Sequence, residues 1–215
     1  MISRREFISA LALPYPAAPA QDDLPAQFAN PPAGFGPVPF WWWTGEPLNK
    51  ERLFWQLRQL KEKGVTAVNV NYHHDPSGNT DLGDPPLFSG KWWELWRDVV
   101  AESKRLGMSI GFDDYTLTWP GRGLIPEMIL KENPEMAGMR LVDEGGAGIV
   151  IRKEGIDPTH PDIGRKVIEK YFEPFERNTP GEIGKTVNFF FQDELMFGGS
   201  MPVWSSRLAE EFKKR

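Results

Sequence analysis

The sequence predicts an α/β fold built on a parallel sheet or barrel, and three observations predict it. Short apolar runs alternate with helix-length amphipathic stretches, the rhythm of β-α-β units whose crossovers keep strands parallel. One such run, Val187 to Phe191 within KTVNFFFQDELMF (Lys185 to Phe197), reads as a buried strand that ends abruptly in Asp193 and Glu194. A second run, Met108 to Phe112, ends likewise in Asp113 and Asp114. Catalytic groups in parallel sheets and barrels gather at the carboxyl ends of strands. A carboxylate there beside aromatic rings is a candidate proton donor, because partial desolvation favours its protonated form. The same spacing also suits an Asp193 that caps a turn and a solvated Glu194, and position alone leaves both readings open.

Bulk properties narrow the function classes. A chain of 215 residues can bury one substantial core but is short for a complete eight-stranded barrel of about 250 residues, so either a smaller α/β domain or a piece of a larger one is expected. The net charge of -5 removes the basis for nucleic-acid binding, which needs clustered Lys and Arg against phosphates. No apolar stretch is long enough to span a bilayer, so no membrane insertion is expected. The absence of cysteine excludes disulfides, Cys-ligated zinc and thiol nucleophiles. Aromatic residues reach 13%, with nine Trp, fourteen Phe and four Tyr. Flat rings suit the C–H faces of sugars, and they equally fill large cores.

Residues 1–20 read as a signal peptide of the twin-arginine type. Ser3, Arg4, Arg5, Glu6, Phe7 and Ile8 fit its pattern, and Ala18, Pro19 and Ala20 supply a cleavage site before Gln21. The expected location is therefore periplasmic or extracellular. Residues 21–39, rich in Pro, Ala and Gly, should form an extended lead-in. Phe40 to Trp43 reads as a first strand, with Trp43 and Glu46 at its functional end. Asn49 to Lys63 carries Leu53, Phe54, Leu57 and Leu60 at helical spacing, with Gly64 as the C-cap, and Val65 to Tyr72 follows as the second strand.

Beyond that strand stand His73, His74 and Asp75 in a Gly/Pro/Asp-rich loop long enough to be functional. Substrate hydrogen bonding is the preferred use. A metal site joining either histidine to Asp75 or Asp114 is the lesser reading, because the usual spaced His pattern is missing. Trp92 to Leu106 is the second helix, whose tryptophans read as helix-to-sheet packing, and the Met108 strand leads to Tyr115 and Trp119. Ile125 to Lys131 is a short helix. Met139 to Val142 and Ile149 to Arg152 make an inserted hairpin, and Pro161 to Arg177 is a long helix. A last helix is expected from about Pro202, and residues 40–215 as a whole read as four core strands of an incomplete barrel.

Three segments carry a family resemblance: Phe28, Asn30, Pro31, Pro32 with Pro39, Phe40, Trp41, Trp43 and Gly45; Phe112, Asp113, Asp114 with Trp119, Pro120, Gly121; and Phe190, Phe191, Gln192, Asp193, Glu194. As a set the chain resembles the N-terminal catalytic region of glycoside hydrolase family 106, the α-L-rhamnosidase-like enzymes. The resemblance implies a TIM-barrel-like (β/α) fold and a glycosidase that removes terminal deoxy-sugars such as rhamnose. It implies Glu194, paired with Asp193, as a catalytic carboxylate, and Asp113 and Asp114 as further catalytic candidates. There the chain departs from the family's Y-D-E, with Phe112 for Tyr and Asp114 for Glu. Trp43, Glu46, Tyr72, His73, His74, Tyr115 and Trp119 are the candidate sugar-binding residues. No cofactor is expected. Members of that family can use calcium, but no calcium loop is readable. The alternative is a non-catalytic or degenerate carbohydrate-binding barrel fragment.

Overall fold

The computed structural model describes residues 24–29, 36–43, 47–72, 83–114, 124–192, 203–205 and 208–214. In chain order the elements are α1 (Leu24–Ala29), β1 (Phe40–Trp42), α2 (Lys50–Glu62), β2 (Ala67–Asn71), α3 (Gly90–Arg105), β3 (Ser109–Asp113) and α4 (Leu124–Glu132). Then follow β4 (Ala137–Asp143), β5 (Ile149–Ile156), α5 (Ile163–Val167), a π-helical turn (Ile168–Phe172), α6 (Glu173–Asn178), β6 (Val187–Phe191), β7 (Val203–Trp204) and α7 (Leu208–Lys214). The chain divides into two compact units: residues 1–73, 82–113 and 178–191 form the first, and residues 74–81, 114–177 and 192–215 the second.

The first unit is a parallel four-stranded sheet in the order β1-β2-β3-β6. Each strand lies beside its predecessor in that sheet. This is the progression of a barrel, whereas a doubly wound sheet reverses direction part-way. Local signals set the crossovers. Asn49 caps α2 by accepting from the Arg52 N–H at 3.0 Å, Leu53 and Leu57 turn the same side of the helix into the core, and Gly64 closes it at φ 85°. Ser89 caps α3 through the Trp92 N–H at 3.3 Å. Trp92, Trp93, Trp96, Val99 and Val100 are buried along α3, the helix-to-sheet packing that the spacing predicts.

Side chains alternate across the sheet. On the helix side Trp96 meets Phe112 at 6.2 Å between ring centroids, and Trp43 lies 6.2 Å from Trp92, 6.3 Å from Trp96 and 5.3 Å from Trp41. On the other side the Phe40 and Phe191 rings, from the two outer strands, meet edge to face at 5.0 Å. In a flat sheet those strands would stand roughly 14 Å apart. The sheet therefore curls, with the face opposite the helices concave. Four strands of a barrel-like sheet are present among the described residues, where a closed barrel needs eight.

The second unit contains the predicted hairpin, β4 against β5, and a third antiparallel strand, β7, paired with β4 through Met139–Trp204 and Arg140–Val203. The sequence reading starts a helix near Pro202; pairing with β4 holds Val203 and Trp204 extended instead, and α7 begins only at Leu208. The expected helix over Pro161 to Arg177 forms from Ile163 but widens into a π turn at Ile168–Phe172, where the Glu173 N–H reaches the Ile168 carbonyl. Pro174 explains it: its ring opposes the carbonyl four residues back and it has no N–H to give, and one wider turn relieves both. Within the expected extended lead-in, Leu24–Ala29 is helical and buries no residue. The signal-like residues 1–20 lie outside the described residues. Among the described residues no helix is long and apolar enough to cross a membrane.

Candidate active site

The concave face is built by period-two alternation. In β2, AVNVN, Val68 and Val70 face the helices, so Asn69 and Asn71 share the opposite face. Register extends each position into a row. Phe40, Asn69, Gly111 and Phe189 are consecutive partners across the four strands. One pleat nearer the carboxyl end, Trp42 pairs with Asn71, and Asp113, next after the Phe112 that pairs with Val70, pairs with Phe191. The terminal row therefore reads aromatic, amide, carboxylate, aromatic.

Burial runs against polarity along this row. Asn71 is 0% and Asp113 1% exposed, whereas Trp42 is 49% and Phe191 37% exposed. Asn69, also buried, donates through Nδ2 to Asp113 Oδ2 at 2.9 Å, a bond that orients the carboxyl group. Neither side-chain polar atom of Asn71 has a hydrogen-bond partner, nor does Asn69 Oδ1. Gly111 leaves room for an aromatic neighbour: a Cβ there would sit 2.2 Å from the Phe189 ring. The bulge between Ile110 and Gly111 seats that ring on the concave side.

No family model matches this sequence, and no curated protein matches it. Several solved structures are similar to the chain, three of them as follows. One, an alpha-amylase from Lactobacillus plantarum, aligns at 13% identity over 73% of this chain and 37% of its own, with TM-score 0.47. Isomaltulose synthase (PalI) from Klebsiella sp. LX3 aligns at 12% identity over 73% and 34%, with TM-score 0.45. A xylosidase from Aspergillus niger aligns at 12% identity over 64% and 19%, with TM-score 0.36. The chain spans about a third of the length of the first two.

Of the residues singled out in the sequence, Asp113 stands in the terminal row, and Asp114 follows it, half-buried. Trp43 and Tyr72 were expected on a sugar-binding wall. The structure packs both: Trp43 among Trp41, Trp92 and Trp96, and Tyr72 with its ring on Trp43 and Trp92 and its hydroxyl donating to the Pro85 carbonyl. Trp42 presents its ring to the concave side in their place. Glu46, His73, His74, Tyr115, Trp119, Asp193 and Glu194 lie outside the described residues. Asn69, Asn71, Trp42 and Phe191 were not singled out as site residues. The signal for the asparagines was the V-N-V-N alternation itself, and the same alternation puts Trp42 opposite Trp41 and Trp43.

No group of three or more His, Asp or Glu side chains comes together among the described residues.

Proposed function

We propose that the chain carries the sugar-binding and catalytic face of a glycoside hydrolase that removes terminal deoxy-sugars such as rhamnose from glycosides or polysaccharides. The observation that supports the reading is the terminal row, a buried amide and carboxylate between two exposed aromatic rings at the carboxyl edge of a parallel, curled sheet. Trp42 and Phe191 would stack on the apolar faces of a sugar ring, and the polar centre would read its hydroxyls. Glycoside hydrolysis needs two carboxyl groups, one protonated to assist the leaving oxygen and one ionised as base or nucleophile. Glu194, which follows β6 in the chain, is proposed as the acid or base, with Asp193 beside it in sequence. Asp113, held as an acceptor by Asn69, is proposed as the ionised partner. The twin-arginine-like residues 1–20 would export the protein to the periplasm or beyond.

The test is hydrolysis of aryl glycosides, α-L-rhamnoside included, by the full chain and its Glu194→Gln variant. Release from one sugar that falls by about 10²–10⁴-fold in the variant is expected. Absence of release by a folded protein would contradict the reading. One observation favours a second reading, a sugar-binding face without turnover: Asp113 is buried and already bonded to Asn69. That reading predicts sugar binding that Glu194→Gln leaves unchanged and no release from any substrate.

A further inference from the structure

Asn69 and Asn71 are the same residue type on the same face of the same strand, yet their environments differ. Asn69 is tied to Asp113 and accounts for that carboxylate's orientation. Asn71, one pleat nearer the sheet's carboxyl edge, is fully covered, and both its Oδ1 and its Nδ2 are without a partner. Its backbone is accounted for separately, since its carbonyl accepts from the Trp43 N–H at 2.8 Å. Buried polar groups in folded proteins are nearly always bonded. A carboxamide can accept at its oxygen and donate twice from its nitrogen. Leaving it unmet carries an uncompensated desolvation penalty, whereas an apolar side chain of the same shape would avoid it. Leucine has that shape, so nothing in the packing of the sheet calls for an amide at this position.

We propose that Asn71 is a ligand-binding residue whose carboxamide takes one sugar hydroxyl. The inference rests on the sugar-binding reading above and adds the residue that reads the hydroxyl. A hydroxyl donates and accepts through one oxygen and so satisfies both halves of the amide. Trp42, the cross-strand partner of Asn71, supplies the stacking face beside it, and Asp113 on the other neighbouring strand brings the reacting carboxylate into the same row. Because Asn71 is covered in this conformation, the incoming hydroxyl displaces what covers it. A buried water offers the same O–H chemistry, and the experiment separates the two.

Calorimetric titration of the full chain with L-rhamnose, D-xylose and D-glucose is compared with Asn71→Leu and Asn71→Ala, alongside thermal unfolding of each protein without sugar. The expected result is binding of at least one sugar by the unaltered chain and a Kd raised about tenfold or more in both variants. The Leu variant should unfold no earlier than the unaltered protein. Unchanged Kd in either folded variant overturns the proposal while leaving the sugar-binding reading intact. A Leu variant that binds as before but unfolds earlier assigns the amide to a structural water and also overturns it. If the Leu variant does not fold, the Kd of the Ala variant decides. A folded, unaltered chain that binds none of the three sugars overturns both readings.

Discussion

Asn69 and Asp113 show how one pair of side chains sets the character of a site. Both are buried, and their 2.9 Å bond spans adjacent strands on the concave face. Replacing Asn69 with Leu strands the carboxylate without that donor and should lower stability by about 1–3 kcal/mol in urea titration. The Asn69→Leu/Asp113→Leu double variant should lose less than the two singles together; strict additivity would deny the coupling. Gly111→Ala drives a methyl into the Phe189 ring and should cost about 1–3 kcal/mol. An unchanged unfolding midpoint would show that the ring yields freely. Glu102, buried on α3, accepts from Arg105 at 2.7 Å and from Arg58 at 3.0 Å. The Arg105 hydrogen bonds foremost, joined by the one from Arg58, outweigh burial and hold its pKa at about 2, below the ordinary 4.5. A depressed folded value means that the stabilisation is present above about pH 4.5 and is lost as pH falls towards 2. The unaltered protein should accordingly lose stability over that interval more steeply than Glu102→Gln, and parallel curves would remove Glu102 from the account.

At the scale of elements, what was legible followed from local chemistry. Asn49 and Gly64 bracket α2, and the apolar spacing of Trp92, Trp96 and Val99 faces α3 to the sheet. Trp96 is fully buried between helix and strand, so Trp96→Ala should cost about 3–5 kcal/mol, measured by denaturant unfolding. A loss below 1 kcal/mol would contradict the packing. What was not legible depended on partners distant in sequence. Val203 and Trp204 read as the approach to a helix, because nothing nearby in sequence discloses Met139 and Arg140 as strand partners. The π turn before Pro174 was legible in principle, since a proline inside a helical pattern disturbs the turn before it. The side of β1 that Trp42 and Trp43 occupy was hidden for a different reason: the four consecutive aromatics Phe40 to Trp43 give no polarity contrast, and the face of β1 is settled only by its register with Asn69 and Asn71.

For the molecule as a whole, the alternation of strands and helices foretold a parallel sheet, and the sheet's sequential order with rings meeting across its concave face gives it barrel-like curvature. Asp113 stands at the end of β3, where the acidic end of the Met108 run placed it, while Asp193 and Glu194 lie outside the described residues. The amides that accompany Asp113 were hidden, because asparagine in a strand reads as a weakness of the strand until its neighbours on both sides are known. We propose the row of Trp42, Asn71, Asp113 and Phe191 as the place where a sugar is bound and cut. The most direct test of this is Asp113→Asn, assayed on the aryl glycoside that the unaltered chain hydrolyses, with Kd for the matching free sugar measured in parallel. The account predicts a fall in kcat of about 10²–10⁴-fold with Kd held within a few-fold. A folded Asp113→Asn protein with undiminished kcat would contradict it.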